Sequence, residues 1–168
     1  MELTKNNEEL YKIRHSLAHI LAQAVLEIQP DAELGFGPPI DTGFYYDFRL
    51  TEPFGPEDLK DIEKRMKKII KSNQKFEQYE KSKNDTVDYL QDHNQPLKAE
   101  YAGELGERFD NLSFYQNGSF VDMCEGPHVE STRKIPKGCF KLDSLAGSYW
   151  RGDSNRPMLQ RIYGTAWR

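Results

Sequence analysis

Apolar residues recur with a helical period over the first long segment of the chain, residues 9–29. When residues are placed about 100° apart around a helix axis, six apolar side chains fall on one broad arc: Leu17, Ile20, Leu21, Ala24, Val25 and Ile28. Pro30 ends this predicted helix. His15 and His19 lie one helical turn apart and roughly opposite the arc, close to Gln23. Because the helix is apolar around much of its circumference, we expect it to be largely buried, with both histidines facing an internal cleft.

Residues 55–71 give the clearest amphipathic pattern in the chain. Pro56 suits the first turn of a helix, Glu57 and Asp58 favour its positive end, and lysines crowd its negative end. One apolar stripe follows the helical period: Leu59, Ile62, Met66, Ile69 and Ile70. Shorter helices are predicted for residues 84–92 and about 97–106.

Strand patterns occupy the rest of the sequence. The segment "GFYYDF" has the aromatic density of a strand, with Phe44 and Tyr46 on one face. Residues 75–81 are a candidate edge strand, and "LSFYQNGSFVDMCEGPHV" is predicted to form a hairpin around Asn117-Gly118. The segments "CFKLDSLAGSYW" and "MLQRIYGTAW" continue the β pattern. With no internal repeat or clear linker, the sequence predicts one α+β domain, an antiparallel sheet with packed helices over residues 1–168, of which 1–8 are a polar lead-in.

Composition and charge narrow the function classes. The chain has 168 residues with 37% hydrophobic and 12% aromatic content, which supports a packed core and excludes a disordered chain. A net charge of −4 excludes a generally basic nucleic-acid coat but leaves room for a local basic groove. Two cysteines give no disulfide framework, no apolar run reaches the length of a membrane span, and the N-terminus is too acidic for a signal peptide. We therefore expect a soluble cytoplasmic protein.

A second short motif supplies partners for the histidine pair. In "FVDMCEGPHV", Asp122 and Cys124 share a strand face, and His128 follows four residues after the cysteine. Three of the four histidines, one of the two cysteines and a carboxylate thus stand in two motifs that a fold can bring together. Cys139 and His93 have no such partners, so a structural role is favoured for them.

Three chemistries and a structural role are open to this set. Two histidines on one helix turn, Cys124 and His128 are four ligands of the kind that Zn²⁺ accepts tetrahedrally. Without a metal, a histidine or Asp122 can position and deprotonate water while a cation or N–H donor stabilises the oxyanion. Alternatively, Cys124 activated by His128 can attack as a nucleophile and form an acyl-enzyme. The spacing alone is equally compatible with histidines packed in the core and a cysteine that serves as a small hydrophobe.

Five motifs then occur in order along the chain: "RHSLAHILAQAV", "GPPIDTGFYYDF", "FVDMCEGPHV", "GSYWRGDS" and "MLQRIYGTAW". From about residue 10 to residue 168, the sequence resembles the editing domain of bacterial-type threonyl-tRNA synthetase. That domain is related to the editing domain of alanyl-tRNA synthetase and to free-standing alanyl-type editing proteins. The resemblance implies hydrolysis of serine mischarged onto threonine tRNA. A second site is needed because a pocket distinguishes one methyl group by only about 1–3 kcal/mol.

The resemblance also implies roles for single residues. The expected site residues are His15, His19, Tyr46, Lys98, Asp122, Cys124 and His128. Asp122 would anchor the α-amino group of the seryl moiety. A histidine or Lys98 would activate water, Lys98 or an imidazolium would stabilise the oxyanion, and Tyr46 would bind the terminal adenosine or close the pocket wall. The sequence around Lys98 is not distinctive, so a solvated surface lysine is the alternative there.

Relatives of the two types differ in their use of zinc. In alanyl-type domains the four-residue set is a metal site, whereas threonyl-type domains are regarded as working without an obligatory metal. We therefore expect that no cofactor is required. Zinc is the alternative, with four ligands: His15, His19, Cys124 and His128.

The resemblance further implies the 3′ end of threonine tRNA carrying serine as a partner, together with the rest of a synthetase, and no membrane. The sequence contains neither the small N-terminal domain nor the ATP-using domain of such a synthetase. We therefore expect a fragment without ATP-dependent activity, whose residues from about 151 to 168 would lead toward the catalytic domain. The alternatives are a free-standing trans-editing deacylase and a non-catalytic, zinc-stabilised RNA-binding module. Asp122 argues against the module, because a structural zinc site needs no unliganded carboxylate beside it.

Four basic residues are candidate RNA contacts, although a surface role is favoured for each: Lys67, Lys68, Lys71 and Arg151. Trp150 beside Arg151 can stack on a base. We favour a buried Trp150 with Arg151 in a structural salt bridge.

Overall fold

The computed structural model describes residues 7–167. Its helices are α1 (Glu8–Ile28), α2 (Leu59–Lys71), α3 (Lys83–Asp92) and α4 (Pro96–Leu105), with short 3₁₀ segments at Pro56–Asp58, Thr132–Lys134 and Trp150–Gly152. The side chain of Asn7 accepts a hydrogen bond from the Leu10 backbone N–H and caps the start of α1. All four predicted helices are confirmed, whereas most of the predicted lead-in lies outside the described residues.

The strands form two antiparallel sheets. They are β1 (Glu33–Leu34), β2 (Pro39–Ile40), β3 (Gly43–Arg49), β4 (Glu77–Ser82), β5 (Asn111–Asn117), β6 (Phe120–Met123), β7 (Phe140–Tyr149) and β8 (Met158–Ala166). One sheet has the order β1-β3-β8-β7, with β2 also paired to β3, and the other has the order β4-β5-β6. The α+β class is confirmed, and the strands are divided over two sheets where the sequence predicted one. Strand β8 lies between β3 and β7, so the C-terminal segment is an integral part of the fold.

The turn of the β5–β6 hairpin differs by one residue from the sequence prediction. Asn117 pairs with Phe120, so the two-residue loop is Gly118-Ser119, with Gly118 at a φ of 58°. Asn117 is the last strand residue, and its buried amide donates to Gln23 Oε1 at 2.7 Å and to Gln74 Oε1 at 2.8 Å. These two bonds tie the end of the hairpin to α1 and to the segment that follows α2.

Helix α1 runs between the two sheets and carries much of the core. Its apolar face packs with α2 and with the inner face of β3, while α3 and α4 cover the three-stranded sheet. A third cluster, formed by Leu97, Trp150 and Leu159, connects α4 to the five-stranded sheet. No helix within residues 7–167 combines the length and the apolar character that crossing a bilayer requires.

Candidate active site

A cavity of about 600 Å³ lies where α1, β3, α4 and β6 meet. All seven residues expected from the sequence line it: His15, His19, Tyr46, Lys98, Asp122, Cys124 and His128. They divide into a charged group, which contains Lys98 and Asp122, and a group of imidazoles and one thiol. The expectation that the two histidine motifs converge on one cleft is therefore confirmed.

The charged group is a buried ion pair with a tyrosine attached. Lys98 Nζ lies 3.1 Å from Asp122 Oδ1 and 3.3 Å from Oδ2, and it donates to the Met123 carbonyl at 3.2 Å. Tyr46 donates its hydroxyl hydrogen to Asp122 Oδ2 at 2.7 Å. Lys98 is 5% exposed, Asp122 4% and Tyr46 2%, so the alternative of a solvated surface lysine is wrong. Because one N–H can bridge both carboxylate oxygens, an ammonium held this way keeps a third N–H for a ligand.

Tyr46 is held as a neutral phenol. Burial, followed by the neighbouring Asp122 carboxylate, raises the pKa of Tyr46 well above its usual value. Gly37 makes room for the ring, since a Cβ at that position would lie 2.1 Å from Tyr46 Cδ2. This placement fits the expected role of Tyr46 as part of the pocket wall.

The second group surrounds the thiol of Cys124. Cys124 Sγ lies 3.4 Å from His15 Nε2 and 3.3 Å from His128 Nε2, and it accepts a hydrogen bond from the Gly126 N–H at 3.3 Å. Gly126 has a φ of 76°, and a Cβ there would lie 2.4 Å from the hydroxyl of Tyr115. Only glycine therefore suits the turn that brings Cys124 and His128 together.

The imidazoles and the thiol are all neutral near pH 7. Burial lowers the pKa of His15 to about 4 and the pKa of His128 well below its usual value. Burial also raises the pKa of Cys124 to about 11, with the Asp122 carboxylate as the next cause. A reactive cysteine needs a thiolate, so these directions argue against Cys124 as the nucleophile.

His19 lies apart from the thiol. Burial lowers its pKa to about 4, and its ring centroid is 4.9 Å from that of His128 and 4.5 Å from that of Phe120. Asn117 is close enough to oppose this lowering of the pKa in part. Nevertheless, no hydrogen bond of ordinary geometry joins His19 Nε2 to any group among residues 7–167. His19 Nε2 is therefore a buried nitrogen, and the imidazole forms part of the cavity wall.

Three residues fit a zinc ion. One ligand atom each of His15, Cys124 and His128 lies within 4.8 Å of the others, so a single ion can reach all three. His19 does not belong to this group, so the structure supports three of the four alternative ligands. Three protein ligands with an open fourth position are the pattern of catalytic zinc sites. The donor set thus fits zinc, and the ion would bind between the loop after β6 and α1.

Sequence reasoning missed Ser16, which lies between the two motif histidines on α1. Its hydroxyl oxygen accepts from the Val129 N–H at 2.9 Å and lies 3.1 Å from His128 Nδ1. Its position next to His15 was the available signal, but the contact with His128 spans 112 residues of sequence. Asn117 was missed in the same way, because its partners Gln23 and Gln74 are distant along the chain.

The candidate RNA contacts lie outside the cavity. Lys67, Lys68 and Lys71 are exposed on α2, in agreement with the favoured surface role. Trp150 is 1% exposed and donates from its indole nitrogen to Glu100, and Arg151 forms an ion pair with Glu104. The expected buried tryptophan beside a structural salt bridge is confirmed.

Comparison with known proteins agrees with this geometry. Residues 112–163 match the family model of the threonyl and alanyl tRNA synthetase second additional domain. The threonine–tRNA ligase of Acetivibrio thermocellus is 50% identical over 153 residues, which are 91% of this chain and 24% of the relative. That of Dehalococcoides mccartyi is 50% identical over 163 residues, or 97% of this chain and 27% of the relative. That of Clostridium botulinum is 49% identical over 168 residues, or 99% of this chain and 26% of the relative.

The fold, the cavity and the family match define an α+β domain of the threonyl and alanyl tRNA synthetase second additional domain class. The chain spans about a quarter of the length of the curated relatives that it matches. Together with the family match, identity near 50% over most of its length supports a threonyl-tRNA synthetase-type editing domain.

Proposed function

We propose that this domain hydrolyses the ester of serine mischarged onto threonine tRNA. The observation that carries the proposal is that the buried Lys98–Asp122 ion pair and the neutral imidazole of His19 line one cavity. The seryl end of the tRNA brings a cationic α-amino group and an ester carbonyl that becomes an oxyanion. The cavity offers an opposite charge for each.

Asp122 and Lys98 would divide these charges. The Asp122 carboxylate would hold the α-ammonium group of the seryl moiety by a charge-assisted hydrogen bond. The third N–H of Lys98 would then point to the carbonyl oxygen, where negative charge develops in the transition state. Tyr46 and Met123 would hold the pair in place through their contacts with Asp122 and Lys98.

His19 is our candidate for orienting the attacking water. Its neutral state and its position in the cavity wall suit a group that accepts a hydrogen bond from water or donates one to it. The water oxygen adds to the carbonyl carbon, and the bond from that carbon to the ribose oxygen breaks. The proton of the water reaches that ribose oxygen, with the neighbouring ribose hydroxyl sharing in the transfer. The products are serine and deacylated tRNA.

No metal is required for these roles, but zinc is a specific alternative. Bound by His15, Cys124 and His128, the ion would supply Lewis-acid polarisation of the carbonyl or of a water molecule. The thiol and the two histidines would then be ligands, while Lys98 and Asp122 would keep their roles.

Release of labelled serine from Ser-tRNA(Thr) tests the proposal, with Thr-tRNA(Thr) run in parallel and with a chelator added to matched samples. We expect rapid loss of serine, sparing of threonine and no effect of the chelator. Loss of activity with chelator, in a chain that remains folded, would establish the zinc alternative. No deacylation at high protein and RNA concentration by a folded chain would contradict the proposal.

Three variants separate the roles. His19→Ala is expected to lower the rate about 10²-fold or more, the usual contribution of a positioned acid or base. The matched control is His93→Ala, since His93 is exposed, stacks on Tyr89 and lies outside the cavity. Cys124→Ala is expected to retain substantial activity, whereas a nucleophilic cysteine requires nearly complete loss.

A further inference from the structure

The direction of each hydrogen bond around Cys124 can be assigned from the partners. The Pro127 carbonyl can only accept, so His15, whose Nδ1 lies 3.2 Å from it, carries its proton on Nδ1. In a neutral imidazole the other nitrogen is then an acceptor. His15 Nε2 therefore accepts from the Cys124 thiol, 3.4 Å away.

Ser16 decides the state of the second imidazole. The backbone N–H of Val129 can only donate, so the Ser16 oxygen accepts from it at 2.9 Å. Within residues 7–167, the remaining hydrogen-bond neighbour of this buried hydroxyl is His128 Nδ1 at 3.1 Å. A buried hydroxyl hydrogen without an acceptor is costly. The hydroxyl therefore donates to Nδ1, and His128 carries its proton on Nε2.

We propose that Ser16 is a positioning residue that fixes His128 as the Nε2–H tautomer and thereby directs the thiol proton of Cys124 toward His15. The bonds then run one way: the Val129 N–H to Ser16, Ser16 to His128 Nδ1, His128 Nε2–H to Cys124, Cys124 to His15, and His15 to the Pro127 carbonyl. Each donor has one acceptor in this order. The inference rests on these contacts and does not depend on the proposed substrate.

This arrangement has a consequence for metal binding. A zinc-binding histidine usually donates its second N–H to an acceptor, as His15 does to Pro127. His128 would have to move its proton from Nε2 to Nδ1, and the Ser16 hydroxyl hydrogen would then lose its acceptor. Ser16 therefore holds His128 in the tautomer that cannot bind a metal through Nε2.

Nitrogen-15 NMR of the imidazoles at fixed neutral pH, with zinc removed, tests the assignment on the wild-type chain. We expect a protonated Nε2 and an unprotonated, hydrogen-bonded Nδ1 for His128, and the opposite protonation for His15. A protonated Nδ1 on His128 would overturn the proposal. Because this measurement uses the wild type, it does not depend on the folding of a variant.

Ser16→Ala tests the role of the hydroxyl itself. The His128 Nδ1 signal is expected to shift to the value of an unprotonated nitrogen without a hydrogen bond, and an unchanged signal would overturn the role of Ser16. The matched control is Thr132→Val, which removes another buried hydroxyl. Like the hydroxyl of Ser16, that of Thr132 accepts from a backbone N–H, of Gln74, and it donates to the Ile70 carbonyl. This control should leave the His128 signals unchanged.

Zinc affinity gives a second readout. If Ser16 were an ordinary acceptor for a zinc-bound imidazole, its loss would weaken zinc binding about 10–100-fold. With Ser16 as a donor, the affinity of Ser16→Ala, measured by competition with a chromogenic chelator, is expected to stay within about threefold of the wild type or to rise. A tenfold weaker affinity in a folded variant would count against the proposal.

Discussion

The buried Lys98–Asp122 pair makes a strong prediction about stability. In Lys98→Met the alkyl stem is largely kept, but the Asp122 carboxylate, 4% exposed, loses its countercharge and retains the hydroxyl of Tyr46 as a partner. Removal of one member of a buried ion pair costs about 3–5 kcal/mol, because an uncompensated charge is left behind. A domain is stable by only about 5–15 kcal/mol. Lys98→Met is therefore expected to lose a large fraction of its free energy of unfolding.

Urea unfolding measures this loss. With a urea m-value of about 2 kcal/mol/M, a loss of 3–5 kcal/mol lowers the unfolding midpoint by about 1.5–2.5 M. The matched control is Lys67→Met on the exposed face of α2, where a surface substitution is expected to change stability by less than about 0.5 kcal/mol. A loss below about 1 kcal/mol for Lys98→Met, with an unchanged m-value, would refute the reasoning.

The double variant Lys98→Met/Asp122→Asn isolates the charge effect. The side-chain amide that replaces the carboxylate can still accept from Tyr46, and no unpaired charge remains. The double variant is therefore expected to be more stable than the sum of the two single changes predicts, with a coupling energy of about 1–3 kcal/mol. Additive losses would mean that packing, and not charge, makes Lys98 important.

Three further predictions concern the cavity wall, the thiol and acid stability. Gly37→Ala places a Cβ 2.1 Å from the ring of Tyr46 and is expected to lower the free energy of unfolding, measured in urea, by about 1–3 kcal/mol. The control is Gly103→Ala in α4, which has open space around the new Cβ and should stabilise the domain or leave its stability unchanged. Equal effects of the two changes would contradict the packing argument. In a Cys139→Ser background, Cys124 is expected to react slowly with an alkylating reagent at pH 8 and faster toward pH 11, since burial raises its pKa to about 11. Mass spectrometry measures the extent of labelling, and rapid labelling at pH 8 would contradict this prediction. Burial lowers the pKa of His15 to about 4, below its unfolded value near 6.5, so the unfolded chain binds more protons between these pH values. The stability due to neutral His15 is complete above about pH 6.5 and is lost as pH falls toward 4, by up to about 1.4 kcal/mol per pH unit; an equal decline in His15→Gln would refute this.

The elements with a long, regular pattern were predictable from the sequence. The apolar periods of α1 and α2 can be read from short stretches of sequence. One histidine motif lies on a helix face and the other at a strand end, and the periods of helix and strand also predict which side chains of each motif share a face. The division into two sheets was not predictable, because alternation along a strand shows which face is buried but not which strand lies beside it.

Burial of a single polar residue was harder to predict than its secondary structure. Lys98 stands in a short helix with no distinctive neighbours, and its partner Asp122 is 24 residues further along the chain. The predicted set of four zinc ligands differs from the group in the structure at His19, for a related reason. Positions i and i+4 on a helix can share an ion, but the loop after β6 brings Cys124 next to His15 and leaves His19 outside the group.

The distribution of charge in the cavity bears on how the proposed reaction would proceed. The imidazoles and the thiol are neutral, so the buried formal charges of the cavity are those of Lys98 and Asp122, while the carboxylates of Glu80 and Glu125 lie at its exposed wall. In the transition state, the seryl moiety carries a cationic ammonium and an anionic oxygen. Asp122 would pair with the ammonium on binding, whereas Lys98 would gain its new countercharge only as the oxyanion forms. Such a site needs little reorganisation as charge develops, which is the condition under which fixed charges lower a barrier most. A protonated histidine would disturb this balance, and burial of the imidazoles prevents it near neutral pH.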